Sequence, residues 1–156
     1  MKKFLTDVCN ICTGNLNANV AVDNGKYPFF TCAPQPLWID SYEFDEDAIL
    51  LAGNNAQGNF HINRYKGKFN AYQRTYVITA KDSYDIDYIK YAIEMSLSHL
   101  RKIAQGSQTK FLTMAMLENF RVEHRTYGKQ SALIASVKAT DRKIAVNNAI
   151  NDNLAA

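Results

Sequence analysis

The sequence predicts an α+β fold, with a strand-rich body over residues 1–124 and a long C-terminal coiled-coil helix over residues 125–156. Three observations lead there. Short apolar clusters broken by Asn, Gly, Asp and Pro fill the first 80 residues, a helical period sets in after Ser83, and a heptad-like seam runs from Leu133 to Leu154. At 156 residues the chain has the length of one domain and can bury a core.

The strand clusters lie at 5–11, 27–32, 37–39, 49–52, 59–65 and 69–79. Punctuation such as Thr13-Gly14-Asn15, Asp23-Asn24-Gly25 and Gly53-Asn54-Asn55 separates them, and Tyr76-Val77-Ile78-Thr79 is β-branched and aromatic, as strands prefer. After Ser83, Ile86, Ile89, Ile93, Leu97, Leu100 and Ala104 fall on one face of a helix. Asp85 and Asp87 suit its first turn, Arg101 and Lys102 its last, and Gly106 stops it. A short helical turn at 114–119 leads into a last strand at 120–123.

The final helix is predicted to begin near Lys129. Leu133, Val137, Thr140, Ile144, Asn147, Asn151 and Leu154 form its seam, and so polar a helix needs a partner. The polar Asn147 and Asn151 weaken association but select register. A helix folded back on its own body is the competing reading.

Bulk composition excludes several classes. Apolar residues make up 47% and charged residues 21%, ordinary for a globular protein, and no run approaches the ~18 apolar residues of a membrane span. Asp7 interrupts the position of an export signal's apolar run, and three cysteines argue against a disulfide framework, so a cytoplasmic location is expected. The net charge of +3 says little, but its distribution says more. Residues 48–81 contain no Asp or Glu, yet hold Arg64, Lys66, Lys68, Arg74 and Lys81 interleaved with aromatics. Such segregation is expected to build a positive surface that suits a phosphate backbone.

Catalytic and metal signatures are missing. Cys9-x-x-Cys12 lacks a second pair for zinc and the strand–helix context of a redox motif, so packed strand cysteines are expected. His61, His99 and His124 join no nucleophile, phosphate-cradling glycine motifs are absent, and Asp45-Glu46-Asp47 reads as a solvated turn. No metal, no cofactor and no catalytic residue are expected.

What remains is Lys66-Gly67-Lys68-Phe69-Asn70-Ala71-Tyr72-Gln73-Arg74-Thr75-Tyr76. On a continuous strand, Asn70, Tyr72, Arg74 and Tyr76 share one face. Arg offers paired donors to guanine, Asn and Gln match adenine, Lys66 and Lys68 supply phosphate anchors, and Arg64 joins the expected DNA-binding set. Asn54, Asn55 and Gln57 add amides on a flexible turn, and Ser107-Gln108-Thr109-Lys110 gives a further small basic loop, with Thr109 and Lys110 suited to phosphate. The same residue types would also serve a carbohydrate site.

The stretches 27–32, 49–58, 67–76 and 106–112 resemble the target recognition domain of type I restriction–modification specificity subunits, and 141–154 resembles their spacer helix. The likeness covers the whole chain in order. It implies a non-catalytic subunit that reads one half of a bipartite target in double-stranded DNA and recruits adenine methyltransferase subunits, with the restriction subunit as a further partner. The chain lacks a methyltransferase's cofactor loop and Asn/Asp-Pro-Pro-Tyr/Phe motif, in agreement with chemistry residing in those partners. The family usually carries two recognition domains and two helices. One of each here implies a half-subunit that forms a homodimer or pairs with another half-subunit through Leu133, Val137, Ile144, Asn147, Asn151 and Leu154. The connection 121–129 also lacks the family's usual prolines. Alternatives from other classes are a strand-rich carbohydrate- or peptide-binding module and a hydrolase with an unrecognised site.

Overall fold

The computed structural model describes residues 1–155. Its elements run β1 (Lys2–Phe4), α1 (Leu5–Val8), β2 (Cys9–Thr13), β3 (Tyr27–Phe30), β4 (Leu37–Ile39), β5 (Phe44–Ala52), β6 (Asn54–Asn55), β7 (Ile62–Ala71), β8 (Thr75–Ala80), α2 (Ile86–Met95), α3 (Leu97–Ile103), β9 (Lys110–Phe111), α4 (Met114–Glu118), β10 (Arg121–Glu123) and α5 (Tyr127–Ala155). A six-stranded sheet in the order β2-β8-β5-β7-β3-β4 forms the centre, while β1 pairs with β10 and β6 with β9.

The buried run Ala48-Ile49-Leu50-Leu51-Ala52 explains why β5 is central. Both of its faces are covered, so apolar residues follow one another without alternation. Ile49 and Leu51 pack with Leu5, Ile89, Ile93 and Leu100 in the larger core, and Ala48 and Leu50 pack with Phe30, Phe69 and Val77 in the smaller one. On one side β5 pairs with β7 from Phe44↔Phe69 to Leu51↔Ile62, and on the other with β8 from Ala48↔Thr79 to Ala52↔Thr75.

Four local expectations are corrected. The cluster at 5–11 is not one strand: Leu5–Val8 makes a helical turn, because Asp7 Oδ2 reaches back to accept from the Phe4 N–H at 3.0 Å. Asp45-Glu46-Asp47 is part of β5 rather than a turn. The helix expected from Ile86 to Ala104 divides at Ser96, whose N–H takes the Ile93 carbonyl at 2.9 Å in a tighter turn. Ile89, Ile93 and Leu100 nevertheless stay buried on one side. The cluster at 69–79 breaks at 72–74 into the end of β7 and the start of β8.

Helix α5 begins two residues before Lys129, and its first turns belong to the core of the body. Gln130 is fully buried: its Oε1 accepts from the Asp85 N–H at 2.9 Å, and its Nε2 donates to the carbonyls of Ser83 at 3.3 Å and Arg125 at 2.7 Å. Ile134 completes the apolar contact. One helical turn on, Lys138 pairs with Asp87, and Tyr91 Oη donates to Asp141 Oδ2 at 2.7 Å, which pushes the phenol up to about 12. Residues 142–154 are exposed throughout.

Candidate functional site

Five loops meet along one rim of the sheet. The turn 72–74 lies at its centre, closed by Thr75 N–H donating to the Tyr72 carbonyl at 2.8 Å. Neither Gly nor Pro occurs in that turn; the glycines lie in the neighbours that press on it. A Cβ on Gly14 would sit 1.9 Å from the Ala71 carbonyl oxygen, and one on Gly53 would sit 2.3 Å from that of Arg74. The 14–17 loop joins through Gln73 N–H to the Leu16 carbonyl at 2.9 Å and Gln73 Nε2 to Asn17 Oδ1 at 2.8 Å. Residues 30–32 join through Tyr72 N–H to the Phe30 carbonyl and Cys32 Sγ to the Arg74 carbonyl. Gly53 N–H donates to the Arg74 carbonyl at 2.8 Å, and the β6–β9 pair then ties 53–58 to 105–111, with Leu112 N–H on the Gly53 carbonyl.

This rim gathers Asn54, Asn55, Gln57, Tyr72, Gln73, Arg74, Thr109 and Lys110 from the sequence-predicted set. It does not gather the rest as expected. Because the strand breaks at 72–74, Asn70, Tyr72, Arg74 and Tyr76 do not share one face, which corrects that reading. Asn70 is buried with its Oδ1 on the Ala71 N–H at 3.0 Å, and Tyr76 is buried with its hydroxyl on the Leu112 carbonyl at 2.9 Å. Tyr76 thereby ties the rim to the segment at Leu112 from beneath. Asn55 is half-buried, and its Oδ1 accepts from the N–H groups of Gln57 at 2.9 Å and Asn59 at 3.0 Å, shaping the loop.

The charge pattern also differs from the simple reading of an acid-free window. The ladder sets Lys66 opposite Asp47 and Lys68 opposite Asp45, while the Lys68 ammonium lies 4.5 Å above the Tyr42 ring. Arg64 pairs with Asp47 and donates through Nε to Asp87 Oδ1 at 3.0 Å; its Nη1 also serves the carbonyls of Ala48 at 3.3 Å and Tyr65 at 3.1 Å. Burial would raise the Asp87 carboxyl, but hydrogen bonds from Lys138 and Arg64 outweigh it and hold the group below its ordinary value. Arg64 is therefore neutralised locally, while Lys66 and Lys68 face carboxylates across the ladder without an ion pair to them among the described residues.

At the rim the reverse holds. Residues 95–117 are a second acid-free stretch, carrying His99, Arg101, Lys102 and Lys110. The β6–β9 pair brings it against the first, and Arg101 lies under the 54–59 loop, donating from Nη1 to Asn59 Oδ1 at 3.2 Å. Arg74, Arg101 and Lys102 are exposed and have no acidic partner among the described residues. Sequence reasoning missed Arg101 and Asn17 as parts of this rim. The repeated asparagines of 15–19 and the lack of acids in 95–117 were the available signals.

Cys9 is buried, which pushes its thiol up to about 12, while Cys12 on the same strand is exposed. No group of three metal-ligating side chains occurs among the described residues, and no helix is long and apolar enough to cross a membrane. On α5 the body takes the Gln130, Ile134, Lys138 and Asp141 face. The expected seam points elsewhere: Leu133, Ile144 and Leu154 are 41%, 52% and 81% exposed, Asn147 and Asn151 are exposed, and Val137 is half-buried.

Comparison with known proteins adds family context. The family described as type I restriction modification DNA specificity domain matches residues 1–156. The specificity subunit of the type I restriction enzyme EcoDI from Escherichia coli is 55% identical over 74 residues, covering 47% of this chain and 16% of that protein. Among solved structures, the S subunit of a type I restriction–modification system from M. genitalium superposes with a TM-score of 0.77 at 15% identity, covering 93% of this chain and 40% of the other. The HsdS subunit from Thermoanaerobacter tengcongensis gives 0.71 at 14% identity, covering 94% and 38%. These two likenesses concern the fold, and the chain spans about two fifths of each solved relative.

Proposed function

The chain belongs to the type I restriction–modification DNA specificity family, and from that premise we propose that it reads one half of a bipartite DNA target with the rim described above, without catalysing any step itself. The convergence of two acid-free stretches on a rim of amides, arginines and a lysine carries this reading. Arg74 and the exposed amides supply base-edge partners, and Arg101, Lys102 and Lys110 supply phosphate contacts. Arg64 takes a smaller part than its sequence suggests because Asp47 and Asp87 consume it, and Lys66 and Lys68 take a smaller part because acids face them across the ladder.

Assembly in this proposal falls to α5. Its 29 residues measure about 44 Å at ~1.5 Å per residue. Two such helices packed antiparallel through Leu133, Val137, Ile144, Asn147, Asn151 and Leu154 would hold two bodies near the ~34–36 Å that separates half-sites by one DNA turn. The pairing is with a second copy or another half-subunit, and the remaining helix surface receives the methyltransferase.

The test is truncation after Asp141, which spares Gln130 and Ile134 in the core. We expect a folded, monomeric chain that still selects a half-site from random duplexes but no longer supports methylation when methyltransferase subunits are added. Retained dimerisation together with retained methyltransferase binding would show that the exposed helix is not the assembly element. Methyl transfer from S-adenosylmethionine by the full chain alone would contradict the non-catalytic role.

A further inference from the structure

We propose that Arg101 sets the hydrogen-bonding polarity of Gln57, so that the 54–59 loop reads base edges presenting acceptors, guanine O6/N7 above all. This rests on the DNA-reading role proposed above. A side-chain amide can face a partner with its oxygen or its NH2, and the two choices read different bases: paired donors suit guanine, while an outward oxygen suits the amino groups of cytosine or adenine. For most exposed amides nothing decides between them. For Gln57 a short relay does.

Arg101 is the fixed end, since a guanidinium only donates. Its Nη1 donates to Asn59 Oδ1 at 3.2 Å, which turns the Asn59 NH2 the other way, and Asn59 Nδ2 donates to Gln57 Oε1 at 3.3 Å. The Gln57 oxygen is thereby occupied, and its NH2 is left with two donors for an external partner. Reversing Gln57 would oppose NH2 to NH2. Once a bound duplex excludes water, that reversal costs an unmade hydrogen bond. The loop backbone is held independently by Asn55 Oδ1, which accepts from the N–H groups of Gln57 and Asn59. Arg101 is therefore a positioning residue and Gln57 the reading residue.

The relay makes an unusual demand on one substitution. In Asn59→Asp the carboxylate still accepts from Arg101 but can only accept from Gln57. Gln57 then turns its NH2 inward and its oxygen outward. The full-length chain and its Asn59→Asp and Gln57→Ala variants are each used to select from a randomised duplex library. Gln57→Ala identifies the position that Gln57 reads, by loss of roughly five- to a hundredfold discrimination there. At that position the wild type is expected to favour guanine, and Asn59→Asp to shift the preference toward cytosine or adenine. The added charge weakens binding to all duplexes and leaves the ratio between bases unaffected. An Asn59→Asp chain that keeps the wild-type preference at every position overturns the relay while leaving DNA reading intact. A Gln57→Ala chain whose preferences match the wild type at every position overturns Gln57 as a reader. A wild-type chain that selects no sequence at all overturns the DNA-reading role, and the relay with it.

Discussion

Arg64, Lys66 and Lys68 on β7 and Arg74, Arg101 and Lys110 at the rim are cations of the same kinds, all drawn from acid-free stretches of the chain, yet they occupy opposite electrostatic settings. The first group lies across a ladder from Asp45 and Asp47, and Arg64 also meets Asp87. The second sits where two acid-free stretches meet, and Arg101 donates to an uncharged amide. In the first setting Arg64 holds the body together, because two carboxylates consume it, and the fields of Lys66 and Lys68 are reduced by the acids that face them. Cations in the second retain their field for a polyanion. Spacing along the chain does not distinguish the two; strand register does.

The sharpest way to break this contrast is to remove Arg64. Arg64→Ala orphans part of Asp47 and Asp87 along with two backbone carbonyls. We expect a loss of about 2 kcal/mol, a drop of roughly 5 °C in a thermal melt, and base preference unchanged in the protein that remains folded. The wild type should also lose stability in acid through Asp87. Its folded-state carboxyl lies below the ordinary value, so the stabilisation is present above that value and disappears as pH falls through the folded pKa. Removing Arg64 should bring the acid transition in at higher pH, read by denaturation across pH.

Arg74→Ala should do the converse. The fold is held there by the Arg74 carbonyl rather than its side chain, so the melt is expected to be unaffected. Discrimination at one base position should fall by about 1–3 kcal/mol, read by competition between duplexes. Lys110→Ala should have a smaller and sequence-blind effect, reducing the slope of log affinity against log salt by about one unit. Smallest of all, Lys66→Ala or Lys68→Ala alone should change that slope by well under one unit, since each removes a charge whose field a facing carboxylate already reduces.

Much of the architecture was legible in the chain because it depends on local pattern. The strand Leu37–Ile39, the turn of helix at Met114–Glu118, the strand after it and the apolar face of Ile89, Ile93 and Leu100 all follow from periodicity and punctuation. The long final helix was legible as well, and so was the place of Gln57 and Arg74 in polar turns, whereas the turn expected at Asn54 and the loop expected at Lys110 pair as the short strands β6 and β9. Features that depend on distant partners were not. The turn at 72–74 has no turn residues of its own, because Gly14 and Gly53 supply the room for it. Asp45-Glu46-Asp47 looks like a solvated turn until β7 is laid beside it. Gln130 reads as one more polar helix residue, and only the folded chain shows it capping Ser83, Asp85 and Arg125.

The central claim is that the rim, and not the β7 ladder, meets DNA. It is tested most directly by measuring the affinity of the full chain for its selected duplex across a salt series, for Arg74→Ala/Lys110→Ala and for Lys66→Ala/Lys68→Ala. The rim pair should lose sequence discrimination and about one unit of salt slope, while the ladder pair keeps its discrimination and most of its slope. A ladder pair that loses as much discrimination and slope as the rim pair, or more, would contradict the account.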